Sequence, residues 1–187
     1  MRKLSSIKRR SCQRISHVGV IAFLSAMATI PVVQAHASDL GIRIGGSADT
    51  DVQITAGELF LRHALPWTWQ PRDGWRISSH LEAGLGVFDG GGETAATLSV
   101  GPVGVLHRNG SRWRFEIGTK PTALSEDRFG AFDIGGHFHF TSHIGIRYQL
   151  LPGLSVGYRF QHLSNAGITR PNPGANFHLL ALSWTPR

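Results

Sequence analysis

Cysteine is almost absent from this chain of 187 residues, and the only one, Cys12, lies near the amino terminus. One cysteine cannot form an intramolecular disulfide. Charged residues are also scarce, at 17%. The longest apolar run, near residues 18–33, falls short of the roughly 20 residues that a membrane-spanning helix needs, and no second run follows it. The composition therefore argues against a disulfide scaffold and a helical membrane anchor.

The first 37 residues have the three regions of a secretory signal peptide, in the right order. A basic segment extends to Arg14, the apolar run follows, and Ala35-His36-Ala37 forms a small-residue cleavage pattern. We predict that residues 1–37 are removed and that residues 38–187 form a single domain. Cys12 is lost with the signal peptide, so the mature chain has no cysteine nucleophile.

Removal of the signal peptide also changes the charge balance. It carries six of the 19 basic residues and none of the 12 acidic ones, so the mature chain keeps 13 basic against 12 acidic residues. A nearly neutral domain lacks the electrostatic attraction that non-specific binding to nucleic acid requires. We therefore predict no nucleic-acid partner.

The mature chain repeatedly alternates apolar with polar residues, which is the period of a β-strand, and no stretch has the period of an amphipathic helix. Turn residues, among them Asn109-Gly110 and Pro152-Gly153, separate these runs, and a longer break is predicted over residues 66–74. The pattern predicts about eight strands. The clearest runs are 40–44, 75–87, 113–117, 144–148 and 156–160, and weaker runs lie near 52–64, 93–106 and 175–185.

Eight antiparallel strands with short turns can close into a barrel that has no free edge. Each clear strand has one uncharged apolar face, whereas the other carries charges such as Arg43, Glu82 and Arg159. A soluble barrel would bury the apolar face, and an outer-membrane barrel would turn it towards lipid. Export, strands of about 10 residues and balanced charges favour the membrane. The predicted fold class is all-β, an eight-stranded antiparallel transmembrane β-barrel.

One strand carries a pair of residues suited to hydrolysis. His162 and Ser164 are two positions apart, so both side chains lie on the same face. Serine becomes a good nucleophile when a neighbouring base removes its proton, and histidine commonly acts as that base. The two residues continue the apolar series Val156, Tyr158 and Phe160. A hydrolytic pair on an apolar surface points to a lipid substrate.

The segment His162-Leu163-Ser164-Asn165-Ala166-Gly167, followed by Pro171-Asn172-Pro173-Gly174, resembles that of the lipid A 3-O-deacylases of the PagL type. The resemblance implies an eight-stranded outer-membrane barrel that hydrolyses the acyl ester at the 3-position of lipid A. It assigns the general base to His162 and the nucleophile to Ser164, with no cofactor. The implied partners are lipid A or lipopolysaccharide as substrate and the lipids of the outer membrane; the oligomeric state stays open.

The resemblance also indicates how the pair is supported. Asn165, Gly167 and Asn172 match positions near the reacting carbonyl, where donors stabilise the oxyanion. Asn176 stands where the family has a glutamate that orients the histidine. An amide can fix the ring by hydrogen bonding but cannot stabilise imidazolium by charge. Three alternatives follow: Asn176 substitutes for the glutamate, which we favour; another acid reaches His162; or activity is weak or absent.

Two further motifs are present. Residues 153–157 match the G-x-S-x-G pattern of a nucleophile elbow, but the strand-turn-helix setting of that elbow is missing. Of His137, His139 and His143, the first two share a face, but no third ligand lies at a typical spacing, so no metal site is predicted. Two alternatives to an esterase remain: a non-catalytic outer-membrane barrel with a structural or adhesive role, and a soluble periplasmic lipid-binding barrel.

Overall fold

A computed structural model describes residues 38–186, and the predicted signal peptide (1–37) and Arg187 lie outside the described residues. The described part of the chain forms ten strands: β1 (Ser38–Ser47), β2 (Thr55–Arg72), β3 (Trp75–Gly90), β4 (Glu93–Arg108), β5 (Trp113–Leu124), β6 (Arg128–Phe129), β7 (Phe132–Asp133), β8 (Phe138–Leu151), β9 (Leu154–Ser164) and β10 (Ala175–Trp184).

Eight of these strands close into an antiparallel barrel in the order β1-β10-β9-β8-β5-β4-β3-β2, and β6 pairs with β7 in a separate small hairpin. The first strand is joined to the last over residues 40–47 and 177–184. Closure satisfies the backbone hydrogen-bonding groups that an open sheet edge would expose. Residues 38–186 contain no helix long and apolar enough to cross a membrane. The predicted eight-stranded antiparallel barrel is confirmed.

The two faces of the barrel wall have the polarity expected of a membrane protein. Apolar side chains point outwards, and Ile117 and Leu180 are each 65% exposed. Charged side chains point inwards, where Glu82 is 0% exposed and Arg43 and Arg159 are each 2% exposed. A soluble lipid-binding barrel would have the reverse arrangement. Alternation in the sequence allowed either a soluble barrel or an outer-membrane barrel, and the structure favours the outer-membrane barrel.

The middle of the barrel interior is organised around the carboxylate of Glu82. Four cations from four other strands approach this carboxylate within hydrogen-bond distance. The distances are 2.7 Å from Arg43, 2.7 Å from Arg62, 3.1 Å from Lys120 and 2.9 Å from Arg159. Glu58 and Glu116 supply further negative charge to the same cations. This network joins distant strands across the lumen.

One end of the lumen is filled by apolar side chains rather than by charges. Phe129 and Ile134 come from the connection between β5 and β8 and pack in a buried cluster with Leu163 and Phe177. Phe177 also stacks on Phe88 with the ring centroids 4.8 Å apart. The sequence predicted mixed charges inside, and that holds for the middle of the barrel. Near the longer loops the interior is closed by an apolar cap.

The connections at the two ends of the barrel differ in length. The longest ones, residues 48–54, 125–137 and 165–174, lie at the apolar-cap end, whereas the opposite end has short turns such as 152–153. Outer-membrane barrels place long loops outside the cell and short turns in the periplasm.

All five tryptophans belong to strand segments next to the short turns and the chain ends. They are Trp67, Trp69, Trp75, Trp113 and Trp184.

The predicted break over residues 66–74 is wrong for most of its length. Strand β2 continues to Arg72, and the turn is confined to the two residues before Trp75. The register between β2 and β3 shifts between Ala64 and Thr68 and again between Trp69 and Arg72. A local irregularity can accommodate Pro66, which lacks a backbone donor. Proline therefore marks an irregular part of this strand rather than its end.

Replacement of the central acid of the lumen should weaken the barrel. Glu82→Gln removes the negative charge that four buried cations share. We expect the free energy of unfolding to fall by about 3–5 kcal/mol, because buried charges would be left uncompensated. Urea titration of the barrel in detergent micelles, followed by tryptophan fluorescence, measures the change. Glu93→Gln, at the exposed start of β4, is the control; equal stability of the two variants would contradict the prediction.

Candidate active site

His162 lies on the outer wall of the barrel, near the end that carries the long loops. In the strand register it is opposite Ser142 on β8 and opposite Asn176 on β10. Ser164 follows on the same outward face, next to Phe140 in the register, and Leu163 between them is buried inside. The parity predicted from the sequence is confirmed: the histidine and the serine both face the exterior.

The hydrogen bonds around Asn176 determine which nitrogen of His162 carries a proton. The side-chain amide of Asn176 and its backbone N–H both donate to the carboxylate of Asp49, the latter over 3.0 Å. A carboxylate can only accept, so the amide nitrogen must face Asp49 and the amide oxygen must face His162. This oxygen accepts a hydrogen bond from Nδ1 of His162 at 2.8 Å. In the neutral ring the proton is therefore on Nδ1, and Nε2 has the free lone pair of a base.

The loop that contains Asp49 is held in place by its own hydrogen bonds. The backbone N–H of Ala48 donates to the carbonyl of Asn176 over 2.9 Å. Thr50 donates to Val52 over 2.6 Å, and the side chain of Gln53 donates to the carbonyl of Ser47 over 2.6 Å. The loop between β1 and β2 thus forms part of the site, although Asp49 was not among the residues singled out in the sequence.

Ser164 and His162 are adjacent on one face without a hydrogen bond between them in the described part of the chain. Catalytic hydrogen bonds are often long in an unliganded enzyme and tighten when substrate binds. The shared face and the free Nε2 of His162 supply the base and the hydroxyl that nucleophilic catalysis requires. These two residue types suit attack on an ester carbonyl.

The loop from β9 to β10 is built around the buried side chain of Asn165. Its amide nitrogen donates to the carbonyl of Gly135 at 2.8 Å and to the hydroxyl of Thr169 at 2.9 Å. Its amide oxygen accepts the backbone N–H of Gly167 at 2.8 Å. The backbone N–H of Asn165 in turn donates to the amide oxygen of Asn172 at 3.0 Å. Asn165 and Gly167 thus use these groups to shape the loop, while Asn172 is oriented by it.

Gly174 brings this loop against the imidazole of His162. A Cβ atom at this position would lie 2.9 Å from Cε1 and 3.4 Å from Nε2 of the ring. Gly174 also has a φ of 69°, which side chains other than hydrogen rarely adopt. Glycine therefore permits a contact that limits movement of the ring on the side of its basic nitrogen.

A shallow apolar groove of about 630 Å³ leads away from His162 across β9, β8, β5 and β4. Phe160, Ile144 and Ile117 provide apolar surface, and the small outward residue Gly104 leaves space at the far end. Ser142 and Thr119 lie at the edge nearest His162, with their hydroxyl oxygens 3.2 Å apart. A groove with these properties fits a hydrocarbon chain whose polar end lies beside the histidine.

Other histidines and Ser155 are engaged in other contacts or lie far from His162. The hydroxyl of Tyr158 is hydrogen-bonded to Nδ1 of His178 at 2.5 Å. His139 is buried and bonded to the carbonyl of Gly136, and no group of three potential ligands among residues 38–186 is arranged to hold a metal ion. Ser155 of the G-x-S-x-G motif pairs with Ser183, at the short-turn end of the barrel and far from His162 along β9.

An eight-stranded barrel with an apolar exterior, a charged interior and a histidine-serine pair on its outer wall defines a membrane-embedded hydrolase. Comparisons with known proteins identify which kind. The family model for lipid A 3-O-deacylase (PagL) matches residues 55–185. The chain belongs to this family, and it is an ester hydrolase of the outer membrane.

Individual relatives agree with this assignment. The lipid A deacylase PagL of Pseudomonas aeruginosa is 30% identical over 169 residues, which cover 86% of this chain and 93% of that protein. The lipid A deacylase PagL of Bordetella bronchiseptica is 40% identical over 76 residues, or 41% and 42% of the two chains. A crystal structure of the outer membrane enzyme PagL is 27% identical and superposes with a TM-score of 0.70, covering 78% of this chain and 98% of that one.

A designed transmembrane β-barrel gives a TM-score of 0.53 at 10% identity, covering 81% of this chain and 97% of the design. This likeness concerns the fold alone, and it extends the agreement on the barrel to a protein of unrelated sequence.

A methyl group at position 174 should displace His162 without disturbing the barrel. Gly174→Ala places a Cβ against Cε1 of the ring, and a small misplacement of a catalytic group can lower turnover by about 100-fold. We expect a decrease of this order in ester hydrolysis by the detergent-solubilised enzyme. Gly110→Ala is the control, because Gly110 also has a positive φ but has open space around it. Full activity of Gly174→Ala would refute the role of this contact.

Proposed function

We propose that this outer-membrane esterase removes the acyl chain attached through an ester at the 3-position of lipid A, with Ser164 as nucleophile and His162 as general base. Family membership supports the reaction. The observation that carries the assignment of residues is the hydrogen bond from Nδ1 of His162 to Asn176, because it leaves Nε2 basic on the face that carries Ser164.

In the first half-reaction, Nε2 of His162 takes the proton of Ser164 as Oγ attacks the ester carbonyl. The tetrahedral intermediate collapses, the sugar oxygen leaves with the proton from His162, and the acyl chain stays on Ser164. In the second half, His162 takes a proton from water, the resulting hydroxide attacks the acyl-enzyme, and the proton returns to Ser164. The products are the fatty acid and lipid A with a free 3-hydroxyl.

The carbonyl oxygen becomes negatively charged in both tetrahedral intermediates and needs donors at that point. We assign the side-chain amide nitrogen of Asn172 as one donor, because its amide oxygen is held by the backbone N–H of Asn165. Asn165 and Gly167 contribute by fixing the loop that carries Asn172. This division of roles refines the sequence-based expectation, which treated Asn165, Gly167 and Asn172 alike.

The site lies on the apolar outer wall, so the substrate can be taken directly from the membrane. In this proposal the scissile ester lies beside His162 and Ser164, and the acyl chain occupies the groove past Ile144 and Phe160. The long-loop end of the barrel would lie outside the cell. Residues 1–37 are proposed to direct export, which gives a mature chain that begins at Ser38.

Loss of the nucleophile or the base should abolish the reaction in cells. We expect Gram-negative cells that produce the wild-type chain to show lipid A lacking one acyl chain by mass spectrometry, whereas Ser164→Ala and His162→Ala leave its mass unchanged. Ser155→Ala is the matched control, since Ser155 lies on the inner side of the same strand at the opposite end. If the wild-type barrel is folded but the lipid A profile is unmodified, the protein would instead be a non-catalytic barrel.

A side chain introduced into the groove should compete with the acyl chain. Gly104→Leu fills the far end of the groove, and the nearest atom to a Cβ there is 3.7 Å away, so the backbone can accept it. We expect KM for long-chain substrates to rise severalfold, because apolar surface for the chain is lost. Gly57→Leu is the control: Gly57 is an outward glycine on β2, outside the groove, with similar space around it. Equal KM values for the two variants would contradict the proposed acyl path.

A further inference from the structure

We infer that Asp49 is a positioning residue of the active site, which supplies negative charge to His162 through the amide of Asn176. This inference rests on the proposed function of Ser164 and His162. In it, Asn176 and Asp49 together perform what a single carboxylate beside the histidine would do: they orient the ring, fix its tautomer and favour its protonated form during catalysis.

The geometry supports a connected relay. Asn176 lies between the two other residues, with its amide oxygen towards Nδ1 of His162 at 2.8 Å and its amide nitrogen towards the carboxylate of Asp49. A second hydrogen bond of 3.0 Å joins the backbone N–H of Asn176 to the same carboxylate. Asp49 is thus anchored to Asn176 through both of its oxygens, and the amide cannot rotate without loss of both side-chain contacts.

The relay addresses a weakness of a Ser-His-Asn arrangement. When His162 accepts the proton of Ser164, its ring becomes positively charged, and a neutral amide alone provides little stabilisation of that charge. A carboxylate that polarises the amide makes the amide oxygen a stronger acceptor, because hydrogen bonds in a chain reinforce one another. Asp49 therefore acts on the base through Asn176 and does not contact the reacting atoms.

The surroundings of His162 offer no nearer acid. Its outward neighbours in the strand register are Ser142 and Asn176, and the next outward residue on β10, His178, is bonded to Tyr158. Among the residues that the structure describes, the hydrogen bonds leading from His162 reach one carboxylate, that of Asp49. The buried acids Glu82 and Glu116 face the lumen on the other side of the wall and are neutralised by arginines.

A substitution that keeps shape but removes charge tests the inference. Asp49→Asn retains an acceptor for the backbone N–H of Asn176 but removes the carboxylate. We expect kcat for lipid A in detergent micelles to fall by about 10–100-fold, by analogy with the loss of a hydrogen-bond partner behind a metal-bound histidine. KM should stay within about twofold, because Asp49 lies outside the groove that binds the acyl chain. Asp51→Asn, in the same loop and exposed, is the matched control and should match wild type.

A second substitution distinguishes charge from loop structure. Asn176→Glu places a carboxylate directly beside Nδ1 of His162 but also next to Asp49, and like charges at hydrogen-bond distance disfavour each other. The single variant Asn176→Glu should therefore be less active than the double variant Asp49→Asn/Asn176→Glu. Asp49→Asn should thus lower kcat when residue 176 is asparagine and raise kcat when residue 176 is glutamate. A double-mutant cycle on kcat measures this coupling.

The outcomes separate the inference from the proposed function. Full kcat in Asp49→Asn, or a decrease in kcat that the double variant does not recover, overturns the role of Asp49 while Ser164→Ala still abolishes hydrolysis. Activity that persists in Ser164→Ala would overturn the proposed function itself. A decrease in kcat for Asp49→Asn together with recovery in the double variant supports the relay, because loss of a loop contact alone would not be repaired by a new carboxylate at position 176.

Discussion

The fold depends on one arrangement of charge, the cations gathered around the buried carboxylate of Glu82. Four cationic side chains from different strands would repel one another in a lumen without this acid, and desolvated charges are stable only when they are paired and hydrogen-bonded. The ion pairs across the lumen therefore hold the strands at fixed separations. The outer wall needs no polar support of its own, which leaves it apolar for lipid and allows a few polar residues to be placed there for catalysis.

The residues proposed for catalysis lie close together on this wall. Strand pairing places Ser142, His162 and Asn176 side by side, and the loops at the rim supply Asp49, Asn172 and Gly174 around them. In the proposed mechanism, rigid strands fix the base, whereas the loops favour its protonated form and provide a donor for the oxyanion. An enzyme of this kind does not need a deep pocket, since the membrane itself excludes water from the acyl part of the substrate.

Much of this could be predicted from the sequence, because strand alternation determines which side chains face lipid. The eight strands and the outward direction of His162 and Ser164 follow from a period of two residues. The hydrogen bonds between Asp49 and Asn176, and the role proposed for Asp49, could not be predicted in this way, since the two residues are 127 positions apart and meet only when the barrel closes. The apolar cap was missed because Phe129 and Ile134 belong to a connection rather than to a periodic strand. Pro66 predicts the end of a strand, but the irregular strand β2 accommodates it.

The residues of the proposed catalytic group come from both sides of the junction between the first and the last strand of the barrel. His162 belongs to β9, Asn176 to the last strand, and Asp49 to the loop that follows the first strand, and the first and last strands pair along their lengths. A chain still in transit to the outer membrane, with its ends apart, would lack the complete group. Assembly of the barrel would then serve the purpose that cleavage of a propeptide serves in secreted hydrolases: it would withhold a lipid-degrading activity from the membranes that the chain must pass on its way.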